Sequence, residues 1–354
     1  MVKNKFFWVV QFCFFALLFQ GCSDTTDTLS VVHVSGVISS NTNWTNNHIY
    51  VVDEDVIVEN ATLTIQAGTV VKISQDQGIT AREASGIINA MGTAASPIIF
   101  TSTADDYFGG DTDDLNITPA EGDWDTIFVN ATGPGAESTF IYCEFYYGGH
   151  GTYEDNAMLE IYDAPAIIDN CIFAHSENSA LNVVNADIET EVTNNVFYDN
   201  IKPLWMSPDF SIDGTNMFHN PVLPQIKNYY NAIWLWSSIY ISADRYWGDN
   251  GVPYVSEDGF TIMDDVLLTV EPGTVVKFYD ETVTVSADVV LESGADIANL
   301  EYAYFTSYYD DAHGGDTNED GAIPVPVGGY WKGIFSNDLG AYFDDPGIWY
   351  ALNP

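Results

Sequence analysis

Leu63-Thr-Ile-Gln-Ala-Gly-Thr-Val-Val-Lys-Ile73 returns 205 residues later as Leu268-Thr-Val-Glu-Pro-Gly-Thr-Val-Val-Lys-Phe278. The same offset carries Phe100-Thr101-Ser102 onto Phe305-Thr306-Ser307 and Asp105-Asp106 onto Asp310-Asp311. It also carries Gly109-Gly110-Asp111-Thr112 onto Gly314-Gly315-Asp316-Thr317. Gly122-Asp-Trp124 and Gly329-Tyr-Trp331 follow shortly after, so the chain holds two copies of one module. Between the copies runs a finer period. Phe145, Phe173, Phe197 and Phe218 each follow a small or amide residue two places earlier: Cys143, Cys171, Asn195 and Asn216. Short repeats of two to three dozen residues, separated by Asn and Gly turns, are the mark of a solenoid.

The apolar runs are brief: Val56-Ile-Val58, Leu63-Thr-Ile65, Ile98-Ile-Phe100, Leu181-Asn-Val183, Val283-Thr-Val285. Strands this short cannot bury a core alone. Stacked in parallel about 4.8 Å apart, each supplies hydrogen bonds to the next and lengthens one apolar interior. Past the N-terminal apolar run no stretch sustains a helical period. The sequence therefore predicts an all-β fold, a right-handed parallel β-helix (solenoid), rather than a sandwich or propeller. Asn178, Asn200 and Asn220 are expected at turns, where matching amides form ladders.

The expected organisation is a signal peptide over 1–21, a lipidated linker over 22–40 and a first module over 41–228. An aromatic-rich junction over 229–247 and a second, incomplete module over 248–354 complete it. Lys3 and Lys5 precede an apolar run from Phe6 to Phe19 that is too short to span a bilayer but fits a signal core. Gly21 directly before Cys22 resembles a lipobox, although Phe19 stands where Leu is usual. The expectation is export, diacylation of Cys22 and contact with the membrane through that anchor only. Cys13 lies in the signal core. Cys143 and Cys171 would lie on neighbouring turns, either as stacked thiols or as a disulfide.

Nine Lys+Arg against 51 Asp+Glu give a net charge of −42. Such a surface repels phosphate backbones and excludes nucleic acid as a partner. Anionic polysaccharides need an intervening cation. Bound calcium or a salty medium would each relieve the repulsion.

The Leu-Thr-Ile-x-x-Gly-Thr-Val-Val-Lys block, the Phe-Thr-Ser strand, the Asp-Asp…Gly-Gly-Asp-Thr insert and the Gly-x-Trp that follows resemble the pectin-lyase-like β-helix lipoproteins of Bacteroidota. The resemblance covers most of residues 40–340. It implies an outer-membrane anchor with the β-helix outside, and it leaves activity open, since the fold hosts lyases, hydrolases and adhesins.

Calcium is the expected cofactor. Asp310, Asp311, Asp316, Asn318 and Asp320 of the second copy include an Asp-x-Asn-x-Asp-Gly run like the first half of a calcium loop. Val327 stands where an EF-hand would place its bidentate Glu, so no EF-hand is read. The first copy keeps Asp105, Asp106, Asp111 and Asp113 but has Leu115 in place of Asp320. A solvated acidic turn is the competing reading. Trp234, Trp236 and Tyr240 of the junction are expected to stack on sugar rings, or else to cover a coil face. Trp124 and Trp331 read as core.

Gly149-His150-Gly151 together with Asp-Asp resembles polygalacturonase motifs, but the Arg-x-Lys that grips a substrate carboxylate is missing. A lyase base would have to come from a short roster of basic residues, of which Lys72 and Lys277 recur in both copies and read as structural. No catalytic residue is assigned. The expected function is a non-catalytic, glycan-binding or adhesive surface protein with calcium-stiffened acidic loops. A polysaccharide lyase or glycoside hydrolase is the first alternative, a structural spacer the second.

Overall fold

The structure is a computed structural model that describes residues 29–115, 117–151, 156–185, 189–236, 240–279, 288–319, 321 and 331–351. The expected signal peptide, Cys22, the expected strand Val283-Thr-Val285 and Asp320 lie outside the described residues. The fold is an all-β parallel β-helix whose strands lie in stacked columns. A first column runs through Val70–Ile73, Ile98–Ser102, Cys143–Tyr146, Ile172–Ala174 and Val196–Tyr198. A second starts with Ile79–Arg82, Ile127–Val129, Ala157–Tyr162, Ser179–Val184 and Lys202–Met206. A third holds Thr42–Trp44, Thr62–Gln66, Ile87–Met91, Ser138–Ile141, Ala166–Asp169 and Glu191–Thr193. The long strand His48–Glu59 heads the first two columns, pairing with Val70–Ile73 through one half and with Ile79–Arg82 through the other. Among the described residues no helix is long and apolar enough to cross a membrane.

The pairing register is the period read from the sequence. Phe145 pairs with Phe173, and Phe173 with Phe197. Their rings, with Phe100 and Phe218, form one stack with centroid steps of 4.9, 4.7, 5.0 and 5.2 Å. Each such pair adds about 0.5–1.5 kcal/mol beyond the burial of its area. Two residues before each Phe, a second column points inward. Cys143 and Cys171 are free thiols, both fully buried. The Cys143 thiol donates to Ala90 O (3.4 Å) and the Cys171 thiol to Phe140 O (3.3 Å). Asn195 Nδ2 donates to Ile168 O, and Asn216 Nδ2 to Val192 O (both 2.9 Å). Every rung thus donates to a main-chain carbonyl of the third column or its continuation.

The amide ladder differs from its expected membership. Asn200 stacks with Asn228, its Nδ2 donating to Asn228 Oδ1 at 2.8 Å, and Ser176 N donates to Asn200 Oδ1. Asn178 instead donates to Gly149 O, and Asn220 accepts from Val222 N and Leu223 N. The coil after Asn200 makes an extra excursion through residues 219–227, which puts Asn228 where Asn220 was expected. Corners are turned by residues with positive φ, among them Tyr142, Asn170 and Asn194, a conformation that Asn tolerates through its short polar side chain.

Three further findings refine the organisation. Ser30–Ile38 is a strand parallel to His48–Glu59, with a register shift at Gly36, so the solenoid begins inside the expected linker. Val32, Val34 and Ile38 pack against the core and fix that strand's face. The junction contributes a strand to the second column: Ile233–Leu235 pairs with Lys202–Met206 on one side and Tyr254–Ser256 on the other. Most consequential is a change of phase between the copies. Val275–Phe278 and Tyr304–Ser307, the repeat counterparts of Val70–Ile73 and Ile98–Ser102, extend the second column, whereas their counterparts sit in the first. Toward the C-terminus, Ala341–Tyr342 pairs antiparallel with Ile334–Ser336, and Ile348 bridges to Phe305.

Candidate functional site

Each acidic insert is pinned to the outer face of its column by a buried lysine. Lys72 alternates with the core residues Val71 and Ile73, so its side chain leaves the interior; it is nevertheless fully covered, and its Nζ donates to Gly110 O. Lys277 does the same in the second copy, donating to Gly315 O (2.6 Å) and to Thr317 Oγ1 (2.7 Å). Burial lowers both lysine pKa values, that of Lys277 to about 8, while the surrounding aspartates pull the other way.

The aspartates of the inserts are occupied in shaping turns. Asp105 accepts from Thr101 Oγ1 (2.6 Å) and Tyr107 N (3.0 Å). Asp310, 1% exposed, accepts from Thr306 Oγ1 and Ala312 N, and its Oδ2 lies 2.7 Å from His313 Nδ1. Asp111 accepts from Asp113 N and Asp114 N, and Asp113 from Leu115 N. Asp106 is exposed and Asp311 half-buried, as is Asn318. Asp316 Oδ2 accepts from Gly321 N, whereas its Oδ1 is buried with no hydrogen-bond partner among the described residues.

The aromatic patch is built differently from the expected platform. Trp205 and Trp234 pair in register on the outer side of the second column. Trp234 is only 4% exposed, because Tyr230 and Tyr308 close over it. It is therefore not an open sugar platform. Trp236 is half-buried and meets Trp205, also half-buried, at 5.2 Å and 55°. Lys202 Nζ sits 4.2 Å from the Trp205 ring and 4.5 Å from that of Trp234, a cation–π sandwich. Tyr240 is 50% exposed but pairs with Thr261 in another sheet, so it does not extend the Trp205–Trp236 surface.

His150 is not joined to the Asp-Asp pair. Its Nδ1 lies 2.9 Å from Glu177 Oε2 and its Nε2 3.3 Å from Asp76 Oδ1; these carboxylates, Glu177 first, raise its pKa. Asp125, which burial pushes upward, completes the surroundings.

One corner carries a cluster that the motif reading missed. Tyr147, His175 and Asp199 each lie two residues beyond a ladder phenylalanine, and all have positive φ (65, 63 and 57°). The shared conformation on successive coils stacks their side chains. Tyr147 and His175 rings lie 4.9 Å apart at 7°, and His175 Nδ1 is 3.3 Å from Asp199 Oδ2. The hydrogen bond from His175 lowers the Asp199 pKa. The loop through Ala120–Asp125 lies against this corner: Asp123 N donates to Tyr147 O, and Trp124 Nε1 to Tyr146 O. Gly122 turns this loop at φ +76°, a conformation that side-chain-bearing residues rarely adopt, and a Cβ there would crowd the Glu177 side chain. Glu121 is thereby brought to the ladder, its pKa raised by burial and by Asp199. One ligand atom from each of Glu121, His175 and Asp199 lies within 4.8 Å of the others. Among the described residues no other three His, Cys, Asp or Glu side chains converge so closely. The period that located the phenylalanines would have located His175 and Asp199 as well.

A family model described as a pectate-lyase like beta helix domain matches residues 36–159. No curated protein and no solved structure matches the chain. The match covers the first module's opening coils and speaks to fold rather than activity.

Proposed function

We propose that this parallel β-helix is an exported surface lipoprotein, anchored through Cys22 in the outer membrane, that binds glycan without cleaving it. The observation that carries the reading is the half-buried pair Trp205 and Trp236 beside Lys202, two tilted rings that would supply apolar surface to a sugar. The extreme acidity favours neutral glycans, or anionic ones bridged by a cation. Calcium in the second insert is part of the proposal, supported by the unpartnered buried Oδ1 of Asp316 with Asp311 and Asn318 nearby in sequence.

The test is a glycan array probed with the parent, Trp236→Ala and Trp205→Ala. Binding by the parent that drops at least about tenfold in either variant is the expected result. Absence of binding in the parent removes the reading and leaves the structural spacer. A polysaccharide panel scored for reducing ends and unsaturated products separates binder from enzyme, and turnover there makes it a lyase or hydrolase. Calcium should raise the parent's Tm and not that of Asp316→Ala. Cys22→Ala should abolish metabolic labelling with fatty acid.

A further inference from the structure

We propose that Glu121, His175 and Asp199 form a site for a divalent first-row transition ion, zinc or its like, on the corner of the first column. The proposal is independent of glycan binding. Three side chains from three different coils or loops converge on one point, with ligand atoms within 4.8 Å of one another. Around a tetrahedral ion with bonds near 2.1 Å, neighbouring donors stand about 3.4 Å apart. The gap to be closed is then at most about 1.4 Å, within side-chain rotation on a fixed backbone.

The backbone is fixed for reasons already given. His175 N donates to Asp199 O at 2.9 Å, which locks the two coils at the spacing their side chains need. Tyr147 lies flat against the imidazole and limits its rotation. Gly122 and the buried Trp124 hold the loop that delivers Glu121. Two carboxylates and one imidazole form a mixed hard and borderline donor set. Calcium and magnesium take oxygen ligands almost exclusively, whereas imidazole suits zinc, iron, nickel and copper. Asp199 is half exposed, so positions beyond the three protein ligands are open to water or to a ligand group. The acidic inserts differ in kind. Among the described residues they bring together no converged trio of His, Cys, Asp or Glu side chains, although His313 Nδ1 lies beside Asp310 in the second.

The experiment titrates the full chain with Co2+ in excess Ca2+, which saturates non-specific carboxylates, and follows visible d–d absorption together with equilibrium dialysis. One equivalent of Co2+, displaced by one equivalent of Zn2+, is expected. His175→Ala and Asp199→Asn should each weaken it by about 100-fold or more, the loss of a ligand being at least as costly as the loss of a ligand's support. Glu121→Gln lies on a loop outside the coil strands, so it tests the site even where a ladder variant misfolds. It should weaken binding while far-UV circular dichroism stays unchanged. Cobalt affinity in folded His175→Ala or Glu121→Gln equal to that of the parent overturns the proposal. So does binding that excess Ca2+ abolishes.

Discussion

Asn195→Ala removes one rung from the inward column of Cys143, Cys171, Asn195 and Asn216, and its cost can be worked out from the bonds it breaks. Asn195 Oδ1 accepts from Cys171 N at 2.9 Å, and its Nδ2 donates to Ile168 O and to Asn216 Oδ1. Asn216 Oδ1 keeps a donor in Asn195 N, at 3.0 Å. The substitution therefore strands one buried main-chain N–H, at about 1–3 kcal/mol, and takes a donor from Ile168 O, at about 1 kcal/mol. A loss of about 3 kcal/mol is expected. Asn195→Cys should cost about 1 kcal/mol less, because a thiol can donate to Ile168 O as Cys171 does to Phe140 O, yet cannot accept from Cys171 N. Urea unfolding followed by tryptophan fluorescence and far-UV circular dichroism measures both. Coincidence of the two probes is required before the midpoints become free energies. An Asn195→Ala loss under about 1 kcal/mol, or a Cys variant no better than Ala, would refute the view that these rungs are held by donation to the preceding coil.

The buried lysine gives a pH signature. The Lys277 pKa falls from 10.5 to about 8 in the folded chain, so between those values the unfolded chain binds more protons and stability rises with pH. The cost of burying the charge, up to about 3 kcal/mol, is present in full below pH 8 and is relieved toward pH 10.5. Parent and Lys277→Met stabilities measured across that range should diverge in the parent's favour; parallel curves would contradict the buried-charge account. Gly148→Ala places a methyl group 2.4 Å from Trp124 Cε2, in a fully buried site. A loss of about 1–3 kcal/mol is expected from such overpacking, read as a lowered Tm; an unchanged Tm would mean that the Trp124 indole can shift.

Much of the fold was legible because a solenoid writes its geometry into sequence spacing. Phe145, Phe173 and Phe197 announce their contacts at intervals of one coil, and the column order follows once strands stack in parallel. The duplicated Lys72 and Lys277 lie buried at matching places, each donating to a carbonyl of its own insert, at Gly110 and Gly315. What the sequence could not resolve lies between coils rather than within them. Asn220 has the right type and nearly the right spacing, but the excursion after Phe218 hands its place to Asn228. Trp234 and Trp236 share a strand face, yet exposure depends on Tyr308, which arrives from a distant part of the chain. His150 carried a familiar local triplet, but its partners Glu177 and Asp76 come from other coils. The Glu121–His175–Asp199 trio was half visible: the coil period gives His175 and Asp199, and only the fold of the loop through Gly122 delivers Glu121.

The change of phase between the two copies decides which face of the β-helix each acidic insert occupies. Had the second copy continued in phase, both decorated loops would line a single flank, like teeth on one side of a comb. Displaced by one face, the loop above Lys72 and the loop above Lys277 look out along different bearings. The two inserts therefore stand over different faces of the β-helix, although the sequence repeats them in the same order.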